Sequence, residues 1–204
     1  MLRGAVSSGF MDEKQGIPIL PFPSQREWES WLEEHHADAT KGLWLKIAKK
    51  DSGIPTVTYA EALDVALCYG WIDGQKASFD EAFFLQKFTP RRPRSRWSKI
   101  NREKVAALIQ SGRMRPAGLA EVEQAQSDGR WEAAYDSQSR AVVPEDLQRE
   151  LDRNPEAAAF FETLNKVNRY AILYRIHDAK KPETRARLIE KFIGMLNRRE
   201  KLHP

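Results

Sequence analysis

The sequence predicts an α+β protein, in which a small antiparallel sheet packs with helices and an all-helical C-terminal bundle follows. Residues 43–47 alternate as a half-buried strand does, and residues 71–76 and 83–88 are short and aromatic, as in neighbouring strands. After Trp97 the apolar residues recur at helical spacing. These patterns divide the chain into an extended or disordered lead-in (residues 1–21), an α+β domain with a basic and aromatic loop (residues 22–135) and a helical C-terminal domain or subdomain (residues 144–204).

The composition is that of a globular protein. The chain has 204 residues, of which 41% are hydrophobic and 30% charged, and this length suits one large domain or two small ones. The formal net charge of +4 permits an anionic partner without requiring one. Cys68 is the only cysteine, which excludes an intrachain disulfide and a thiolate metal cluster. Because the sequence shows no signal peptide and no membrane span, we expect a cytoplasmic protein.

Two stretches have the spacing of a capping box, in which a Ser or Thr and a Glu three residues later satisfy each other's backbone donors. They are residues 24–27 and residues 58–61. The first predicts a helix to about His36, with Trp28 and Trp31 packed on one face. The second predicts a helix that Gly70 ends in a left-handed conformation.

The remaining elements follow from aromatic residues, prolines and caps. Residues 71–76 and 83–88 predict a hairpin or two neighbouring strands, joined near residues 78–80. Further helices are predicted to begin near Ser98, Pro116, Pro144, Asn154, Asn168 and Pro182.

Four motifs together resemble the YdeI/OmpD-associated, or bacteriocin-protection, family. They are GWIDGQ at residues 70–75, FTPRRPRSRWSKIN at 88–101, GRM followed by PAG at 112–118, and YAILYRIHDAKKPETRARLIEKFIGML at 170–196. The resemblance extends from Phe22 onward, although Arg115 stands where a capping threonine is expected. It implies association with an outer-membrane porin, or a role in protection against bacteriocins and antimicrobial peptides and in stress tolerance.

The most unusual chemistry lies in an arginine-rich stretch after the predicted hairpin. Between residues 91 and 104 there are seven basic side chains and one acid, Glu103. Arginine donates in a planar fork that suits phosphate or carboxylate, and two prolines stiffen the stretch. The sequence therefore predicts a concave basic and aromatic-lined site for an anionic small molecule or nucleic acid, formed by Trp71, Asp73, Arg91, Arg92, Arg94, Arg96, Trp97 and Asn101.

A structural alternative explains the same residues. Arginines beside tryptophans often stack on them, and these arginines could pair with Asp73 and Asp80. The stretch would then be a clasp between the sheet and the helices. The sequence leaves ligand binding and the clasp as equal alternatives.

Catalysis has weaker support. Cys68 follows apolar residues near a helix end, where a thiol is usually inert, and His177 is placed as a helix-terminal cation. No phosphate loop, dinucleotide fingerprint or metalloprotease motif is present, so we expect no cofactor, no metal and no catalytic residue.

Three functions remain open at this stage. The first is a non-enzymatic module that binds an anion at the arginine-rich stretch. The second is a stress or bacteriocin-protection factor that acts through protein contact. The third is an enzyme acting on a phosphorylated or carboxylated small molecule, with Asp73, Arg92, Arg94 and Asn101 around a cleft.

Overall fold

A five-stranded sheet in the order β1-β2-β3-β5-β4 forms the base of the N-terminal part of the chain. The computed structural model describes residues 12–137 and 140–204. Its strands are β1 (Glu13–Lys14), β2 (Ile17–Pro21), β3 (Leu43–Ala48), β4 (Trp71–Ser78) and β5 (Phe83–Pro90). Strand β5 pairs antiparallel with both β3 and β4, and β1 pairs antiparallel with β2. The predicted α+β class, with its small sheet, is confirmed.

The first two strands differ from the sequence-based expectation. Residues 1–21 were expected to lie outside the domain as a lead-in, but β2 pairs in parallel with β3 and so extends the sheet. Ile17 and Ile19 alternate with the less buried Pro18 and Leu20, and both isoleucines pack in a buried cluster with Trp44 and Leu85. The prolines suggested an irregular segment because they lack an N–H, yet the alternation buries one side of the strand.

Four helices accompany the sheet: α1 (Gln25–His35), α2 (Tyr59–Cys68), α3 (Lys99–Gln110) and α4 (Pro116–Ser127). A complete capping box forms at α2, where the Glu61 N–H donates to Thr58 and the Thr58 N–H donates back to Glu61. At α1 the Ser24 side chain instead accepts from the N–H of Arg26. Gly70 follows α2 with a φ of 74°, in the left-handed conformation that glycine adopts at little cost.

One face of the sheet is covered by α1 and α2. Trp28 of α1 is fully buried, with its ring centroid 5.7 Å from that of Phe88 on β5. Its indole N–H donates to the carbonyl of Ala62 on α2 at 3.0 Å, so the same side chain joins both helices and the sheet. Burying an aromatic ring of this size, with its polar atom satisfied, is a major contribution to a core.

Helix α4 approaches the end of α2 at a glycine. A Cβ atom placed on Gly118 would lie 2.2 Å from the Cys68 carbonyl oxygen and 2.8 Å from that of Leu67. The Arg115 N–H donates to the same Cys68 oxygen at 3.1 Å. The two backbones therefore meet where only glycine fits.

The C-terminal part consists of four helices, as predicted: α5 (Glu145–Arg153), α6 (Pro155–Thr163), α7 (Lys166–Asp178) and α8 (Pro182–Asn197). Their apolar faces share one buried cluster that includes Leu147, Phe161, Ile172 and Phe192. No helix in the part of the chain that the structure describes is long and apolar enough to cross a bilayer.

The chain divides into two units by its internal contacts. The N-terminal unit takes the residues up to Trp97 together with Asn101–Ala133. The C-terminal unit takes Ala134–Pro204 together with the short stretch Ser98–Ile100. Within the C-terminal unit, Ser98 forms a parallel bridge with Tyr135, and the Lys99 N–H donates to the Tyr135 carbonyl at 2.9 Å.

An ion pair between α5 and α8 makes the stability of the C-terminal unit depend on pH. Arg185 Nε and Nη2 donate to the two carboxylate oxygens of Asp146 at 2.5 and 2.9 Å. These bonds hold the pKa of Asp146 below its ordinary value of 3.8. The pair therefore stabilises the fold above that value, and the contribution is lost as the pH falls through the lowered pKa.

We expect Asp146→Asn to lower the melting temperature by a few degrees near neutral pH, with a difference that shrinks toward zero as the solution is acidified. Thermal unfolding followed by circular dichroism over a pH series measures this. Glu145→Gln removes the same charge from the same helix start and serves as the control. If the difference in melting temperature stays the same at every pH, the Asp146–Arg185 ion pair does not cause the pH dependence.

Candidate functional site

The arginine loop, defined as residues 91–97, follows β5 and begins with a buried arginine. Arg91 is only 6% exposed, and its guanidinium carbon lies 3.5 Å from the centroid of the Trp97 ring. Its Nη1 donates to the carbonyl of Arg96 at 3.1 Å, and its backbone N–H donates to Gly70 at 3.0 Å. Arg91 therefore holds the two ends of the loop together by stacking and hydrogen bonding.

A serine turn fixes the middle of the loop. The Arg92 N–H donates to the Ser95 hydroxyl, and the Ser95 N–H donates to the Arg92 carbonyl, both at 2.8 Å. Arg130 then donates from Nη1 to the Ser95 carbonyl at 2.9 Å, while its own charge is paired with Asp128. The backbone of the loop is thus held from inside and from a second segment of the chain.

The other three arginines of the loop, Arg92, Arg94 and Arg96, have exposed side chains. Within residues 12–137 and 140–204, the side chains of Arg92 and Arg94 form no hydrogen bond and no ion pair. The loop therefore combines one buried cation, which serves the fold, with exposed cations on a constrained backbone. Of the loop arginines, Arg91 has the stacking contact with a tryptophan that the structural alternative describes.

Both tryptophans proposed as stacking surfaces are buried. Trp97, 2% exposed, lies between the Arg91 guanidinium and the ring of Trp131, whose centroid is 4.9 Å away. Trp71, 1% exposed, packs edge-on against Trp28 and Trp31 in the core. Neither ring has a face open to a ligand in this structure, and this burial favours the structural alternative for these two residues.

The remaining predicted residues have other partners. Asp73 accepts a hydrogen bond from the Tyr59 hydroxyl at 2.8 Å, and burial together with this carboxylate raises the pKa of Tyr59. Asp80 accepts from the backbone N–H groups of Ala82 and Phe83 in the β4–β5 turn. Asn101 is half-buried in the first turn of α3. Asp73 and Asp80 therefore bind Tyr59 and the β4–β5 turn, instead of pairing with the loop arginines as the structural alternative predicted.

Two residues that sequence reasoning did not select contribute to the site. Arg130 braces Ser95, and the half-buried Glu121 lies close enough for the positive charges of Arg91 and Arg130 to oppose the rise in its pKa that burial causes. Both follow the loop by more than 20 residues along the chain. No local pattern marks them, because they reach the loop only through the packing of α4.

Cys68 is placed as an inert thiol. It is buried at the end of α2, and burial raises its pKa to about 11. The thiol therefore stays protonated at neutral pH, which makes it a poor nucleophile.

Two family models match different parts of the chain. Residues 20–121, half of the 204, match a model described as a domain of unknown function (DUF8412). Residues 140–199 match the model described as "Bacteriocin-protection, YdeI or OmpD-Associated". Comparisons with curated proteins and with solved structures gave no match.

The second match confirms the predicted family resemblance for residues 140–199. Of the four motifs, only residues 170–196 lie in the YdeI/OmpD-associated segment, which contains all of α5–α8. The other three, with the arginine loop among them, lie in the segment that the other model matches. The chain therefore belongs to the DUF8412 family through residues 20–121, and its residues 140–199 match the YdeI/OmpD-associated, bacteriocin-protection model.

Proposed function

We propose that this protein is a non-enzymatic binding protein that holds a phosphate-bearing anion on the arginine loop. The observation that carries the proposal is the combination of a fixed loop backbone with the exposed guanidinium groups of Arg92, Arg94 and Arg96. The binding would serve the protection or stress-tolerance role that the name of the C-terminal family describes. We place it in the cytoplasm, which suits a chain with a single buried cysteine.

The constrained backbone favours binding because less conformational entropy is lost when the ligand arrives. Hydrogen bonds of Arg91, Ser95 and Arg130 fix the loop. Between Arg92 and Arg94, the ring of Pro93 restricts the backbone further. The side chains of Arg92 and Arg94 remain to be ordered when the ligand binds. Each guanidinium can donate two parallel hydrogen bonds to a phosphate, which a lysine cannot do.

Charge, not stacking, is the basis of this recognition. Because Trp71 and Trp97 are buried, the proposal gives them no contact with a base or sugar ring. Binding should therefore weaken steeply as the salt concentration rises and show little preference among bases. A phosphorylated metabolite, a nucleotide and a single-stranded nucleic acid all present the required group.

The enzyme alternative has less support from the structure. It requires Asp73 and Arg92 to act together in a cleft, but the Asp73 carboxylate is engaged by Tyr59. The protein-contact alternative makes no use of the arginine loop, and the same binding experiment separates it from the proposal.

We expect Arg92→Ala/Arg94→Ala to weaken binding of a single-stranded oligonucleotide, a mononucleotide or inorganic phosphate at least about ten-fold, since charge-assisted hydrogen bonds each contribute about 1.5–3 kcal/mol. Isothermal titration at low and high salt measures the affinity. The melting temperature should stay nearly unchanged, because both side chains are exposed and neither forms a hydrogen bond or ion pair with a described residue.

Arg149→Ala/Arg187→Ala is the matched control. It also removes two positive charges, from exposed positions on α5 and α8, and should retain binding. Equal losses in the two variants would indicate an effect of net charge alone. If the unsubstituted protein binds none of the probes at low salt, the anion site does not exist.

A further inference from the structure

The C-terminal unit contains a cleft lined by three tyrosines, Tyr135, Tyr170 and Tyr174. Its cavity volume is about 70 Å³, and the cleft is open to solvent on one side. Leu173 and Val142 add apolar walls, and Val142 is 79% exposed at the rim. None of its lining residues belongs to the arginine loop, and the cleft has no part in the function proposed above.

The tyrosine rings are arranged at an angle to one another. The rings of Tyr135 and Tyr174 have centroids 5.2 Å apart and planes at 87°, and Tyr170 lies 5.8 Å from Tyr174 at 43°. In a corner between perpendicular rings, one cation can lie within about 6 Å of both centroids, the range of a cation–π contact. The Tyr170 hydroxyl donates to the Asp136 carbonyl at 3.0 Å, which holds this ring in place.

Two basic side chains, Arg185 and His177, and one carboxylate, Asp136, line the cleft. Arg185 lines it, but this guanidinium donates to both Asp146 oxygens and to the Ile176 carbonyl, so its charge is compensated. The Asp136 carboxylate, paired on one oxygen with the half-exposed Lys99, also lines the cleft. Burial, the neighbouring tyrosines and Asp136 raise the pKa of Tyr170 to about 12, so its hydroxyl stays neutral.

We propose that this cleft binds an alkylammonium group, a quaternary or methylated ammonium, by cation–π contact with Tyr135, Tyr170 and Tyr174. Such a cation carries its charge under methyl groups, so it gives up less hydration than a metal ion or a primary ammonium. Its methyl groups fit the apolar walls at Leu173 and Val142. The competing explanation is that the tyrosines are packing alone, or that the cleft accepts any apolar molecule of this size.

Choline and its neutral carbon analogue 3,3-dimethylbutan-1-ol separate these explanations, because they have the same shape and differ in charge. Titration of each into the full chain is followed by NMR at the tyrosine ring signals. We expect choline to bind at least about ten-fold more tightly than the alcohol, since two or three rings contribute. Equal binding of the two would show an apolar cleft, and absence of choline binding would overturn the proposal.

Variants then locate the site. Tyr174→Leu should abolish choline binding and Tyr174→Phe should retain most of it, because phenylalanine keeps the ring face. Should Tyr174→Leu fail to fold, Val142→Lys tests the same point from an exposed position. The added charge at the rim should weaken choline binding and leave binding of the alcohol unchanged. Unchanged choline binding in a folded Val142→Lys protein places the bound cation elsewhere and contradicts the proposal.

Discussion

Replacing Trp97 by alanine is expected to lower the free energy of unfolding by about 3–5 kcal/mol, the usual cost of deleting a buried tryptophan side chain. The ring lies between the Arg91 guanidinium and the ring of Trp131. Its removal leaves a buried cation facing a cavity, which is more costly than a cavity alone. Urea unfolding followed by fluorescence of the remaining tryptophans measures the loss, since all six tryptophans of the sequence lie in the N-terminal unit.

Trp97→Phe is the control for this experiment. The buried indole N–H of Trp97 has no hydrogen-bond partner among the described residues. The smaller phenylalanine side chain therefore fills less of the core but removes no hydrogen bond. We therefore expect it to retain most of the stability. If the alanine variant is no less stable than the phenylalanine variant, the stack on Arg91 does not hold the loop.

The second large effect is expected from Gly118→Ala, which should destabilise the protein by about 3 kcal/mol, near the upper end of overpacking costs. In most helices this substitution is favourable by about 1 kcal/mol, because alanine is the better helix former. Here the new methyl group would lie 2.2 Å from the Cys68 carbonyl oxygen. That atom belongs to the backbone of α2, so relief requires the two helices to separate.

Gly194→Ala provides the matched control within α8. A Cβ atom there would meet only the flexible end of the Arg198 side chain, at 3.5 Å. This variant should be neutral or slightly more stable by thermal unfolding. A similar, small change at both glycines would mean that α2 and α4 are not in contact at Gly118.

Local patterns in the sequence predicted the elements whose signals lie within a few residues. The Thr58–Glu61 capping box, the left-handed Gly70 and the strands around residues 43–47 and 83–88 depend on short-range geometry, and each is present. The parallel pairing of β2 with β3 was missed, because the identity of a strand's neighbour is decided by which faces can be buried together.

In the candidate site, too, contacts between distant residues could not be predicted from the sequence. In the sequence, Arg91, Arg92, Arg94 and Arg96 are equivalent members of one basic run. Only the three-dimensional contacts distinguish Arg91, which stacks on Trp97, from its exposed neighbours. Arg130, which donates to the Ser95 carbonyl, lies 35 residues further along the chain, so no local pattern predicts this contact.

The stretch Ser98–Ile100 has a consequence for any attempt to express the two halves as separate polypeptides. These three residues belong by their contacts to the C-terminal unit, although they precede Asn101–Ala133 of the N-terminal unit in the chain. A fragment starting at residue 134 would leave behind the Ser98 bridge and the Lys99 hydrogen bond to Tyr135. Its Tyr135 would lose the backbone partners that orient it, so a fragment of this kind is a poor substitute for the whole chain in titrations of the tyrosine cleft.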